Sequence, residues 1–225
     1  MSMAITDTTL FEQLSQKVRD CLLSKARVQE FDRGATICLQ GEPTKTMKVV
    51  QSGWVKLYRV SPNGGEAVLA TLSEGQSFNE ISALQGRRSP TSAEAVSDCA
   101  ILNIDLANVL ACPDAYREVT QAVLSAASNH IDALLDDIEQ LKVKTGAQRL
   151  SDYLLSLSEA ESGLNEIVLP FEKTLLAGKL GMKPESLSRA FGRLKRYGVT
   201  SNRGHVRIND VSVLRSYAEQ DSACA

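Results

Sequence analysis

Histidine is nearly missing from this chain, with His130 and His205 the only two among 225 residues. A multi-histidine metal centre needs several such groups brought together and a nucleophile–histidine–acid triad needs one beside a nucleophile and an acid, so this scarcity removes most routes to either. The five cysteines, Cys21, Cys38, Cys99, Cys112 and Cys224, stand far apart with no C-x-x-C pair. That spacing excludes a compact zinc site or iron–sulfur cage and leaves reduced, structural thiols as the expectation. No run of eighteen apolar residues occurs, and Met1 to Leu10 carries Asp7 and three threonines without a basic segment. Neither a membrane span nor a secretory signal is therefore expected, and the cytoplasm is the expected compartment. With no convergent set of acids, bases or metal ligands, no enzyme is expected either.

What the chain does have is a lopsided charge. The net value of −2 conceals 12 Lys+Arg against 18 Asp+Glu in residues 1–140, and 13 against 9 in residues 141–225. Between Lys173 and Arg207 nine basic residues face a single acid, Glu185. A segment that basic in an acidic protein is the footprint of a phosphate-contacting module, although many charge runs are only solvated faces.

Hydrophobic patterning divides the chain. From Phe31 to Ile104 short β-branched runs alternate with glycine-containing turns, at Ala35–Leu39, Lys48–Gln51, Val55–Val60, Ala67–Leu72, Ala93–Val96 and Ala100–Ile104. This spacing predicts an antiparallel roll or barrel. Its clearest hairpin joins Trp54–Val60 to Glu66–Leu72 through Ser61-Pro62-Asn63-Gly64-Gly65, where Pro62 presets a turn and the next three residues accept positive φ. After Cys112-Pro113-Asp114 the period becomes 3.6 and persists to about Lys144, which predicts one long helix begun by Pro113. Its stripe of Val119, Val123, Ala126, Ala127, Ile131, Leu134, Leu135, Ile138 and Leu141 packs on the helix's own roll, pairs with a second copy, or does both. The length favours both, with Val123, Ala127, His130, Leu134, Ile138 and Leu141 as the expected dimer interface. Thr145–Ala147, weakened by Gly146, is the expected hinge. The predicted layout is a β-roll domain over 1–114, a long helix and hinge over 115–145, and a C-terminal domain over 146–225.

From Lys173 to Lys195 the chain reads K-T-L-L-A-G-K-L-G-M-K-P-E-S-L-S-R-A-F-G-R-L-K. Small and apolar residues fall where a helix-turn-helix needs them: Ala177 for close approach, Gly181 for the turn, and Leu176, Leu180, Leu187, Phe191 and Leu194 for a shared core. Pro184 opens the second helix where its missing N–H costs nothing. Glu185, Ser188 and Arg189 then lie one turn apart on an exposed face near that helix's N-terminus, the position from which side chains reach base edges in the major groove. Arginine offers a bidentate fork to guanine, a carboxylate accepts from cytosine, and a hydroxyl does either. The plainer alternative is a surface Glu185–Arg189 ion pair. Lys183, Arg193, Lys195, Arg196 and Arg203 are the expected phosphate contacts, and Val199–Ile208 reads as a hairpin wing with Asn202-Arg203-Gly204 at its tip.

Nearly the whole chain resembles the CRP/FNR superfamily of bacterial regulators. The resemblance runs through Gly34-x-x-Ile37-x-x-x-Gly41-Glu42-Pro43, Ser52-Gly53-x-Val55-x-Leu57-Tyr58, Gly75-x-x-Phe78-x-Glu80 and the E-x-x-S-R of Glu185, Ser188 and Arg189. It implies an α+β protein with a cyclic-nucleotide-binding-like β-roll, a long dimerisation helix and a C-terminal winged helix-turn-helix. It also implies a homodimer on double-stranded DNA, contact with RNA polymerase, and no membrane. Pro170 through Leu194 is most similar to DNR-type regulators of denitrification, which implies TTGA-type inverted repeats, control by nitric oxide and haem as a possible cofactor. The N-terminal cysteine cluster of the FNR branch is absent, so no iron–sulfur cluster is expected.

Cyclic-nucleotide binders of this family hold the cyclic phosphate with an arginine-serine pair. Here Glu80 is kept, Asn79 replaces a glycine, and Pro90-Thr91-Ser92-Ala93 occupies the arginine-serine position. The expected effector pocket is Glu80, Arg87, Arg88, Thr91 and Ser92, with Leu134 and Leu135 from the long helix where nucleotide-responsive members are polar. A cyclic-nucleotide-responsive regulator, or a nucleotide-binding module acting through protein contacts, is the alternative. A thiol switch through Cys38, Cys99 or Cys112 stays open.

Overall fold

The computed structural model describes residues 11, 13–106, 113–160, 166–170, 172–202 and 204–220. It divides into two compact units, Met1–Asp132 and Ala133–Ala225. The division falls inside the long helix, so neither expected boundary, at 114 or at 145, coincides with it.

In the first unit, helix α1 (Gln16–Ser24) precedes β1 (Arg27–Phe31), β2 (Thr36–Cys38), β3 (Thr46–Ser52), β4 (Val55–Val60), β5 (Glu66–Leu72) and β6 (Ser77–Phe78). Helix α2 (Glu80–Gln85), β7 (Ser92–Ala95), β8 (Cys99–Asp105) and the long helix α3 (Pro113–Val143) follow. The strands form two antiparallel four-stranded sheets, ordered β1-β8-β3-β6 and β2-β7-β4-β5. The expected hairpin is there, with Val55 opposite Leu72 and Val60 opposite Glu66.

Strand alternation sorts the side chains into two cores. On β3 and β8, Met47, Val49, Leu102 and Ile104 point to one side, under α1 and the first turns of α3, where Val18, Leu22, Val119, Ala122, Val123 and Ala126 close over them. Val50 and Ile101 point to the other side, into the roll, with Val55, Leu72, Phe78, Ala93 and Ala95. Val123 thus lies in the roll's own core at 2% exposure and is removed from the expected dimer interface. A stripe read at period 3.6 does not say which side of the helix faces home.

The second unit continues from the end of α3 into α4 (Gly146–Ala160), β9 (Glu166–Val168), α5 (Lys173–Lys179), α6 (Pro184–Leu194), a 3-10 turn (Lys195–Tyr197), β10 (Val199–Asn202), β11 (His205–Ile208) and α7 (Val211–Ala218). The expected two-stranded wing is a three-stranded sheet, β10-β11-β9, in which Ile167 stands opposite Val206. Asp210 caps α7, accepting from the backbone N–H of Ser212 at 2.9 Å and of Val213 at 3.2 Å.

The expected hinge is braced. Arg149 donates from Nη1 to the Lys144 carbonyl at 2.8 Å and from Nε to the Leu180 carbonyl at 3.0 Å. Lys144 pairs with Asp152 at 2.8 Å. Met182 lies so close to Gly146 that a methyl there would stand 3.1 Å from its terminal carbon. The last turns of α3, α4 and the helix-turn-helix are therefore tied by charged and polar bonds across Thr145–Ala147.

Candidate nucleic-acid interface and sensor site

Helices α5 and α6 meet over the residues expected to join them: Leu176, Ala177, Leu180, Leu187, Phe191 and Leu194 are all buried, Leu176 and Leu194 completely. Each such leucine contributes about 1.5–3 kcal/mol relative to an exposed one. The turn needs glycine twice over. Gly181 has φ +61, and a methyl on it would stand 2.6 Å from Leu141 Cδ2. Lys173 Nζ sits 5.0 Å from the Phe191 ring centre, a cation–π contact between the two helices.

With that core fixed, α6 turns its other face outward. Lys183 is extended before the helix and Pro184 occupies its first turn. Glu185, Ser188 and Arg189 are all exposed. No ion pair joins Glu185 to Arg189 among the described residues. Arg189 instead donates to Ser186 Oγ at 3.2 Å, and Ser188 Oγ donates to the Pro184 carbonyl at 3.1 Å. Both bonds are local and solvent-exposed, so a base edge can replace them at little cost. Lys183, Arg193, Lys195 and Arg196 are exposed as well. Arg149, Lys183, Arg189 and Arg193 line one shallow groove beside α6. Arg203 lies outside the described residues.

The sensor residues are less uniform. Glu80 is buried and accepts from Ser77 Oγ. Ser92 is buried and its Oγ accepts from the Gln40 backbone N–H at 3.0 Å, while Thr91 is half-buried. Arg87 and Arg88 are exposed, and Arg88 Nη1 donates to the Gly41 carbonyl at 2.6 Å. Arg59 donates from Nε to the Pro90 carbonyl at 2.9 Å. A cyclic phosphate needs an arginine fork aimed at a serine hydroxyl. Here Ser92 is buried on the side of β7 opposite the core residues Ala93 and Ala95, with its hydroxyl on Gln40, and the two arginines are exposed, so these residues do not form that receptor as they stand. Leu134 and Leu135 belong to the second unit and are 49% and 58% exposed on α3.

Two buried side chains near this segment escaped the sequence reading. Ser89 is 3% exposed; its Oγ lies 2.8 Å from the Thr91 carbonyl, 3.0 Å from Asn79 Oδ1 and 3.9 Å from Cys38 Sγ. Asn79 has φ +64, the one non-glycine residue at positive φ among those described, which explains how asparagine replaces the family's glycine before α2. Lys48, in the middle of β3, is 9% exposed and donates to Thr46 Oγ1 at 2.8 Å. A lysine in a strand ordinarily reads as solvent-facing, and only the parity of Lys48 with Val50 could have indicated otherwise.

The thiol and haem expectations meet this geometry differently. Burial pushes the Cys38 thiol up, with the Lys48 ammonium opposing, and burial pushes Cys99 up as well. Both are thereby turned away from the reactive thiolate. Cys112 lies outside the described residues. His130 stands exposed on α3 rather than inside the roll, so the first unit builds no buried haem pocket around it among the described residues.

A roll of two antiparallel sheets and a winged helix-turn-helix with an exposed, cationic second helix define a DNA-binding transcription regulator with a sensor domain. Residues 28–116 match the cyclic nucleotide-binding domain and residues 148–217 the Crp-like helix-turn-helix domain. A candidate cAMP-binding regulatory protein from Silicibacter pomeroyi DSS-3 is 42% identical, with 96% of this chain and 97% of that one covered and a TM-score of 0.68. The cyclic AMP receptor protein of Thermus thermophilus is 26% identical over 210 residues, 93% of this chain and 96% of the relative. A CRP/FNR-family transcriptional regulator from the same organism shares the fold at 24% identity and a TM-score of 0.68, with 87% and 100% covered. The chain belongs to the CRP/FNR family of transcription regulators, which are not enzymes. Among the described residues no helix is long and apolar enough to cross a membrane.

Proposed function

We propose that the chain acts as a cytoplasmic homodimer that reads an inverted repeat of TTGA-type half-sites, under control of a small effector bound at the roll. The observation that carries this reading is the joint exposure of Glu185, Ser188 and Arg189 at the leading end of α6, held by a packed core and not paired with one another. The E-x-x-S-R spacing supports the TTGA half-site and the DNR-type branch. The basic residues around it supply the sequence-independent phosphate contacts, and RNA polymerase is the further partner the family membership suggests.

Dimerisation is supported by α3 itself. Leu124, Ile131 and Ile138 recur every seven residues, with Ala127, Leu134 and Leu141 three residues after each. All but Ala127 are 47% or more exposed, and Ala127 is half-buried. This is an a/d seam with isoleucine at two of its three a positions (Ile131, Ile138) and leucine at two of its three d positions (Leu134, Leu141), the combination that favours two parallel strands. It replaces Val123 with Leu124 and Ile131, while His130 flanks the seam at a g position. Effector binding then shifts the population of helix pairings and so the separation of the two α6 helices, which must match one duplex turn, roughly 34 Å.

Selection from random duplexes tests the reading. It is expected to return a palindrome with two equal half-sites, whereas recovery of no palindromic motif with any ligand or redox state contradicts it. Absorbance of the purified protein in the Soret region decides the haem version of the DNR-type branch, and its absence assigns control to another ligand.

A further inference from the structure

Within the roll one charge is out of place. Lys48 and Val50 share the inner side of β3, and Val50 sits in the apolar core between the sheets. Lys48 therefore projects from the inner side of β3, its residue 9% exposed, and the one hydrogen bond of its ammonium among the described residues goes to the neutral hydroxyl of Thr46 at 2.8 Å. Its other two N–H donors have no hydrogen-bond partner among the described residues. An acid whose charge it feels is Glu42, but Glu42 is engaged elsewhere: its Oε2 accepts from the Leu39 backbone N–H at 2.9 Å, and no ion pair reaches Lys48 among the described residues. Burial lowers the lysine's proton affinity, which marks the site as under-compensated.

Burying an ammonium is costly unless an anion and further hydrogen bonds accompany it. Natural cores rarely keep such a lysine without a use. Around it stand Cys38, whose charge state it also influences, and beside Cys38 the buried amide of Asn79 and hydroxyl of Ser89. Ile37 and Leu57, partly buried, form the apolar edge of the same interior.

We propose that Lys48 is the anion receptor of the sensor domain, and that the effector is a small organic anion whose carboxylate or phosphate seats on the Lys48 ammonium and the Thr46 hydroxyl. The assignment rests on the reading that the roll binds an effector. It moves the receptor from the arginine-serine segment to the middle of β3. The same charge disfavours a cationic ligand and favours an anion over its neutral analogue.

The experiment is thermal unfolding of the full chain with succinate, inorganic phosphate or cyclic AMP, and with succinamide as the neutral control, for wild type, Lys48→Met and Lys48→Gln. At least one anion is expected to raise the wild-type melting temperature, succinamide is not, and the succinate and phosphate arms separate the two head groups. Both variants are expected to fold, with Lys48→Met at least as stable as wild type without ligand because an unpaired buried charge is gone. Their anion affinity is expected to fall by about ten- to a hundredfold. The proposal is overturned if no anion stabilises the wild type, if the variants respond as the wild type does, or if both variants fail to fold or melt lower, which would make Lys48 a structural counter-charge to Glu42. Palindrome selection is independent of this: a palindrome without an anion response removes only the Lys48 receptor, and an anion response without a palindrome removes only the DNA reading.

Discussion

The two units use positive charge in opposite ways. Around α6 the cations are exposed, several at once, and make their bonds to local partners such as Ser186. In the roll one lysine on β3 is the buried cation among the described residues, and the arginines near the expected pocket are exposed, Arg88 with its Nη1 on a backbone carbonyl. Exposed charges cost little, are screened by salt and are effective against a polyanion as long as the protein face. A buried one is costly, little screened, and suited to one small ligand. The comparison teaches that charge counts along a sequence locate the first kind and miss the second.

The largest effect is expected where the exposed face loses its scaffold. Leu176→Ala should cost about 2–5 kcal/mol, abolish duplex binding, and leave the roll's unfolding unchanged, as followed by Trp54 fluorescence; a matching loss in the roll would show that the units do not fold separately. Next, Ile138→Asp places a charge in the a/d seam and should give a monomer by sedimentation, with binding to a full palindrome reduced to that of a half-site. Arg189→Ala should lose about 1–3 kcal/mol at the selected site and relax preference at one base pair. Lys195→Ala should instead weaken all sequences alike and reduce the slope of log affinity against log salt by about 1; a base-selective effect there would contradict its phosphate role.

The smallest effect concerns the cap of α7. Hydrogen bonds from Ser212 and from the backbone of Val213 hold the Asp210 carboxyl below the usual carboxylate range. Its contribution is therefore complete above the unfolded-state value, about 3.9, and is lost as pH falls through the lower folded-state value. Asp210→Asn should keep the cap but lose that acid dependence, and Asp210→Ala should lose both, read as melting temperature against pH.

Much of this is legible in the sequence. Val55–Val60 was placed to the residue because Pro62 to Gly65 fixes the turn that follows it, and the core of α5 and α6 was named because small and large residues alternate there at helical spacing. Strand β1 was missed because Arg27, Gln29 and Glu30 give it a polar reading, its order coming from pairing with β8. Helix α2 is six residues long, too short for a period to show. Val123 lies in the roll's own core, and an apolar stripe at helical period does not say which of its residues face that core. The Thr145–Ala147 junction read as weak because the bracing by Arg149 and Met182 comes from its fold neighbours, which sequence spacing does not reveal.

The most direct test of the paired-reader account is a spacing series on the selected palindrome, measured by fluorescence anisotropy with wild-type protein. Inserting about five base pairs between half-sites turns one of them to the far side of the duplex. Affinity is expected to drop to that of a single half-site and to recover in part when a full turn is inserted. Equal affinity at every spacing would contradict two rigidly coupled α6 helices.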